Sequence, residues 1–141
     1  MGEGNTGDKG GEMSLLFDAS AIINLSHRNR PMVFMEGKTV SLAEYEIGNA
    51  IWKQVKLSRE ISEEEGAHML RKIVESVALM DIITVPRVED ALHIAYEEGL
   101  SYYDAYYITA AKVSGSVLVT DDKALLKKAR SHVDALRSLD L

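Results

Sequence analysis

Five acidic residues occupy positions from which they could act together. Asp18 closes the apolar run "SLLFD", Asp121 and Asp122 directly follow "SVLVT", and Asp104 lies in the first turn of "SYYDAYYITAAKVSG". Glu46 lies one turn into "SLAEYEIGNAIWKQV". Carboxylates gathered in one pocket repel each other, and their pKa values rise unless positive charge compensates. A divalent cation relieves that repulsion. A chain without cysteine offers it oxygen ligands, which favour Mg2+ or Mn2+ over zinc. Such a site makes a water nucleophilic and sets positive charge against phosphoryl oxygens, as hydrolysis of a phosphodiester requires.

Most of these acids also have a purely structural explanation. Ser101-Tyr102-Tyr103-Asp104 fits the S-x-x-D capping box, so Asp104 could serve only to close its own helix. Asp18, and Asp121 or Asp122, stand where an acid caps the helix that follows. Glu46 fits this account poorly. Leu42 and Ala50 lie four residues either side of it and Leu57 falls on the same stripe, so a carboxylate interrupts an apolar sector. Lone acids are seldom buried without a partner. Lys53 is seven residues on, too far to be the obvious mate, which leaves a metal ion or something that carries one.

The elements that must position these acids alternate. Apolar runs at Leu15–Phe17, near Thr39–Val40, in "DIITVP" and in "SVLVT" read as short strands, with "HVDALRSL" as a last edge strand. Between them lie "ASAIINLSHR", a helix ended by "RNRP", and a helix from Ser41 with Glu44 completing a capping box. A helix capped by Ser62 follows, with Met69, Leu70, Ile73, Val77 and Met80 at helical spacing. "VEDALHIAYEEG" stops at Gly99, the Asp104 helix at Gly115, and "DDKALLKKARS" is the last helix. Alternating strands and helices imply an α/β fold with a parallel sheet covered on both faces. Ligands of such sheets bind at the carboxyl ends of the strands, which is the address the acids share.

"LLFDASAII", "SLAEYEIGNAIWK", "GLSYYDAYYITAAKVSG" and "VLVTDDKALLKKA" resemble, in that order, the four acidic motifs of PIN-domain ribonucleases, above all the VapC-type toxins of prokaryotic toxin–antitoxin pairs. The likeness runs from about Ser14 to the C-terminus. It implies a three-layer α/β/α fold with about five parallel strands and a Mg2+-dependent endoribonuclease, with Mn2+ as a substitute. The family's acids fall on Asp18, Glu46, Asp104 and Asp122, with Asp121 as a neighbour that could share the last role. Asp18 and Asp104 would bind metal most directly, Glu46 and Asp122 would orient its waters, and Ser20 and Thr120 would steady the carboxylates. The resemblance also implies an RNA substrate, a VapB-type antitoxin whose tail enters the acidic groove, and a homodimer. The alternative is a PIN-like scaffold that binds RNA or protein without cleaving it.

The bulk properties agree with one domain, residues 13–141, preceded by a glycine-rich stretch "MGEGNTGDKGGE" that reads as a disordered leader. With 46% hydrophobic and 27% charged residues the composition is that of a folded chain. The absence of cysteine excludes a disulfide scaffold and fits a reducing, cytoplasmic setting. No stretch approaches the roughly 20 apolar residues that span a bilayer. The net charge of −6 will not draw in nucleic acid, so phosphate binding needs a local basic patch or bound cations.

Other residues are weaker candidates. Tyr103, Tyr106 and Tyr107 could stack on bases, although amphipathic rings more often pack. Trp52, with Ile51 and Val55, forms a second apolar face on the Glu46 helix, which fits a subunit interface. Lys123, Lys127, Lys128 and Arg130, or Arg28 and Arg30, could follow phosphates or simply be solvated. His27, His68, His93 and His132 lack metal-ligand spacing. A haloacid-dehalogenase-like phosphatase needs an acid where Ser20 stands, and a receiver domain needs its acidic pair near the first strand. Both are disfavoured.

Overall fold

The computed structural model describes residues 13–141. The expected leader, residues 1–12, lies outside the described residues. Five short strands form one sheet: β1 (Leu15–Phe17), β2 (Lys38–Thr39), β3 (Asp81–Ile82), β4 (Val117–Val119) and β5 (Ala135–Leu136). Their order is β3-β2-β1-β4-β5 and every pairing is parallel. Leu15, Leu16 and Phe17 stand opposite Val117, Leu118 and Val119, so the two most apolar strands pair at the centre.

Adjacent strand residues point to opposite faces, and Leu16 and Phe17 accordingly feed two different cores. Phe17 packs with Ile22, Leu25, Phe34, Ile47, Ile51 and Ile73. These come from α1 (Ala19–His27), α2 (Met32–Met35), α3 (Leu42–Lys56) and α4 (Glu63–Val77). Leu16 packs with Ile94, Tyr107, Ile108, Leu118 and Leu125, from α5 (Val88–Glu98), α6 (Tyr102–Val113), β4 and α7 (Lys123–Ala129). The result is the three-layer α/β/α arrangement. Gly66 lets α4 close on α3, since a Cβ there would stand 2.7 Å from the Val55 side chain. Gly99 ends α5 in the left-handed conformation at φ +67°, which glycine adopts without steric cost.

The structure departs from or adds to local expectation at three points. Ser41 does not cap α3: its backbone is already helical (φ −61°, ψ −27°) and its side chain makes no capping bond, whereas an N-cap residue is extended. Pro31 is more than a stop, because it opens the extra turn α2, where a fixed φ and a missing N–H do no harm. The second strand is Lys38–Thr39 rather than Thr39–Val40, and "DIITVP" pairs only at Asp81–Ile82. The Ser62 capping box, by contrast, forms in both directions.

Candidate active site

The strand order reverses between β1 and β4, which leaves a crevice outside their carboxyl ends. A cleft of about 660 Å3 opens there, and Asp18, Glu46, Asp104 and Asp122 all line it. The four acids come from four separate places in the fold, the end of β1, α3, α6 and the start of α7.

Asp18 is the anchored member. It is 4% exposed and accepts three hydrogen bonds. Ser20 Oγ and the Ala21 N–H donate to Oδ1 at 2.7 and 2.9 Å, and Thr120 Oγ1 donates to Oδ2 at 2.5 Å. It therefore caps α1 and faces the cleft at once. Burial pushes its carboxyl up to about 6 despite those donors, and nearby Glu46 adds to the rise. Thr120 Oγ1 also accepts from the Asp122 N–H, and Ser20 Oγ accepts from the Asp121 N–H. The two hydroxyls thus tie the β1 and β4 ends together.

Glu46 and Asp104 are only partly buried. Burial raises both pKa values, and charge repulsion raises them further, from Asp104 on Glu46 and from Asp122 on Asp104. The repulsion thus runs along the cleft from acid to acid. Glu46 has one partner that the sequence could not disclose: Tyr107 Oη donates to Oε1 at 2.7 Å. The Tyr107 ring is fully buried and its hydroxyl is pushed well above the ordinary tyrosine range, by burial first and by Glu46 second. It remains a donor at any ordinary pH.

The capping reading of Asp104 is half right. Ser101 Oγ accepts the Asp104 N–H at 3.1 Å, so the serine caps α6 by itself. The Asp104 carboxylate forms no hydrogen bond with the described residues, and it faces the cleft instead of its own backbone. Asp122 does cap α7, accepting the N–H groups of Ala124 and Leu125 on Oδ1. Asp121 points elsewhere. It accepts from Asn24 Nδ2 and from the N–H and hydroxyl of Ser138, and it does not line the cleft.

Other expectations shift as well. Leu57 is 62% exposed, so the apolar sector around Glu46 is a cleft wall rather than a continuous core stripe. Lys53, too far along the helix to be the obvious mate of Glu46, lines the cleft with Asn49 and Tyr45. Seven residues make almost two full turns, which was the available signal. Of the basic candidates, Lys128 donates to Glu98 O, Arg130 to Ala135 O, Arg28 to Ser138 Oγ and Arg30 to Leu141 O. These four fasten chain segments and lie outside the cleft lining.

The donor set in the cleft is carboxylate oxygen, with no imidazole among its lining residues. Among the described residues no three carboxylates or imidazoles stand close enough to enclose an ion unaided. A hydrated Mg2+ needs only one or two direct carboxylates, with the others held through water. Partly buried acids that repel each other and form no ion pair with any described residue fit such a cation.

The sequence matches the PIN domain family over residues 15–131. Exonuclease VapC9 of Pyrobaculum aerophilum is 36% identical over 121 residues, which span 84% of this chain and 88% of that protein. Ribonuclease VapC3 of the same organism is 32% identical over 125 residues, spanning 82% and 95%. The crystal structure of PAE2754 from Pyrobaculum aerophilum superposes with a TM-score of 0.71 at 31% identity, covering 86% of this chain and 90% of that one. A toxin–antitoxin complex from Klebsiella pneumoniae superposes with a TM-score of 0.57 at 17% identity, covering 78% and 88%, a likeness of fold alone. The family match over most of the sequence, the identity to VapC9 and the shared fold agree that this chain belongs to the PIN-domain family.

Proposed function

We propose that this chain is a divalent-metal-dependent endoribonuclease that hydrolyses RNA phosphodiester bonds as the toxin of a VapBC-type pair. One observation carries the reading: carboxylates from four separate elements line one cleft, and three of them, Asp18, Glu46 and Asp104, are held above their ordinary pKa by burial and by a neighbouring acid. An arrangement with that electrostatic cost makes sense where positive charge is to be received. The nuclease names of VapC9 and VapC3 supply the reaction class.

In this reading Asp18 and Asp104 hold Mg2+, or Mn2+ in its place, with Glu46 and Asp122 acting through water. The bound ion supplies a water made nucleophilic near neutral pH and positive charge for the phosphoryl oxygens. The chain supplies position. Thr120, Ser20 and the α1 N-terminus fix both oxygens of Asp18. Tyr107 holds one oxygen of Glu46 and leaves the other for the cleft. The antitoxin partner, a homodimer using the exposed Trp52 of α3, whose neighbours Ile51 and Val55 pack into the core, and a cytoplasmic location belong to the same proposal. Among the described residues no helix is long and apolar enough to cross a membrane.

The test is a circular single-stranded RNA incubated with the full chain and Mg2+. An endonuclease linearises the circle, and the expected result is linear product with Mg2+ and none with EDTA. Asp104→Asn should lower it by roughly a hundredfold or more. Binding of the RNA without cleavage at any Mg2+ or Mn2+ concentration would leave a non-catalytic scaffold as the better reading.

A further inference from the structure

Among the residues lining the cleft, Lys53 is the one that carries a positive side chain. It stands seven residues past Glu46 on α3, roughly 10 Å along the helix axis and on nearly the same face, with Asn49 between them. Its side chain is exposed and forms no ion pair among the described residues. In a chain of net charge −6, a lone cation set along an acidic cleft is where a polyanion would find local attraction.

Two exposed rings flank the same cleft. Tyr45, 72% exposed, immediately precedes Glu46 on α3, and Tyr103, 58% exposed, immediately precedes Asp104 on α6. The other three rings of that tyrosine cluster near Asp104 have internal work, Tyr102 by packing on Tyr106 with ring centroids 5.9 Å apart. Tyr106 Oη accepts the Val85 N–H, and Tyr107 donates to Glu46. Tyr45 and Tyr103 have no hydrogen-bonding role among the described residues, and both stand next to a carboxylate.

We infer that Lys53, Tyr45 and Tyr103 form a track for unpaired RNA. Lys53 takes a phosphate flanking the one at the carboxylates, and the two tyrosines stack on bases. The substrate is then a single strand or a loop, because bases in a duplex already have their faces covered by neighbours while unpaired bases can stack on aromatic side chains. The inference rests on the nuclease reading for the place of the scissile phosphate.

The test measures binding, by fluorescence anisotropy, of a short single-stranded oligoribonucleotide and of its duplex. The Asp104→Asn chain is used in EDTA, where nothing is cleaved and one repelling charge is gone. Lys53→Ala should weaken single-strand binding roughly five- to tenfold and reduce the salt slope by about 0.7, the value for one phosphate contact on a single strand. Lys53→Arg should retain both. Tyr45→Ala and Tyr103→Ala should each weaken it by about fivefold or more, as loss of a stacked base does, whereas Tyr→Phe at either position should not. Duplex binding should be weaker and indifferent to the tyrosine changes. An alanine variant within twofold of its parent, or an equal loss on the duplex, overturns the track. Wild-type cleavage run in parallel separates the two claims. Cleavage with unaffected binding sinks the track alone, while track-dependent binding without cleavage sinks the nuclease reading alone.

Discussion

Asp18 and Asp104 line one cleft, yet their surroundings are opposite. Asp18 is buried, closes a helix and accepts donors on both oxygens. Asp104 is half-buried, and its carboxylate has no hydrogen-bond donor among the described residues, because Ser101 has taken over the cap. The difference separates two kinds of carboxylate within one site. The first is part of the architecture and carries its negative charge at the expense of burial. The second is held by its helix but left free, which suits a group that waits for a ligand.

Substitutions should expose that contrast. Asp18→Ala removes acceptors from Thr120, Ser20 and the Ala21 N–H together, and leaves a buried hydroxyl without its partner. It should cost on the order of 3 kcal/mol in urea unfolding as well as all cleavage. Even Asp18→Asn, which can accept on only one oxygen, should destabilise measurably. Asp104→Asn should lower cleavage by roughly a hundredfold or more and leave the unfolding midpoint equal or higher, since it relieves repulsion. A clear loss of stability in Asp104→Asn would return that residue to a capping role.

A pH titration sharpens the same comparison. The Asp18 carboxyl is raised from 3.8 to about 6, so between those values the native chain holds a proton that the unfolded chain has released. Stability of the metal-free protein should therefore fall as pH rises from about 4 to about 6, by up to roughly 3 kcal/mol, and level off above. Glu46 and Asp104, also raised, act in the same direction. Asp18→Asn should flatten most of the slope, and Mn2+ at pH 7 should restore what deprotonation removed. The smallest effect is that of Tyr107→Phe, which deletes one hydroxyl. Unfolding should register about 1 kcal/mol, with a loss of cleavage well below that of Asp104→Asn.

Much of this organisation is legible in the sequence, for a physical reason. Strand-ending and helix-starting acids share an edge in any parallel sheet, so Asp18, Asp104 and Asp122 can be grouped without coordinates. Local patterns were poorer guides. S-x-x-D at Ser101 reads as a reciprocal box, but only the serine half forms. S-x-x-E at Ser41 fails because Ser41 is already helical. The contacts that define the site's second layer join residues far apart in the chain. Tyr107 to Glu46 and Asp121 to Ser138 leave no periodic trace, and Asp121 could be told from Asp122 only by seeing which faces the cleft. Lys53 is legible as the residue two turns from Glu46, but helical spacing alone does not show that the two stand along one groove.

Isothermal calorimetry of Mn2+ binding to the full chain and to two asparagine variants tests the central claim, which is that free carboxylates gathered by the strand order receive a cation. Wild type and Asp121→Asn should bind with comparable affinity, because Asp121 faces away, while Asp104→Asn should bind at least tenfold more weakly. Equal affinity in Asp104→Asn, or a loss confined to Asp121→Asn, would contradict it.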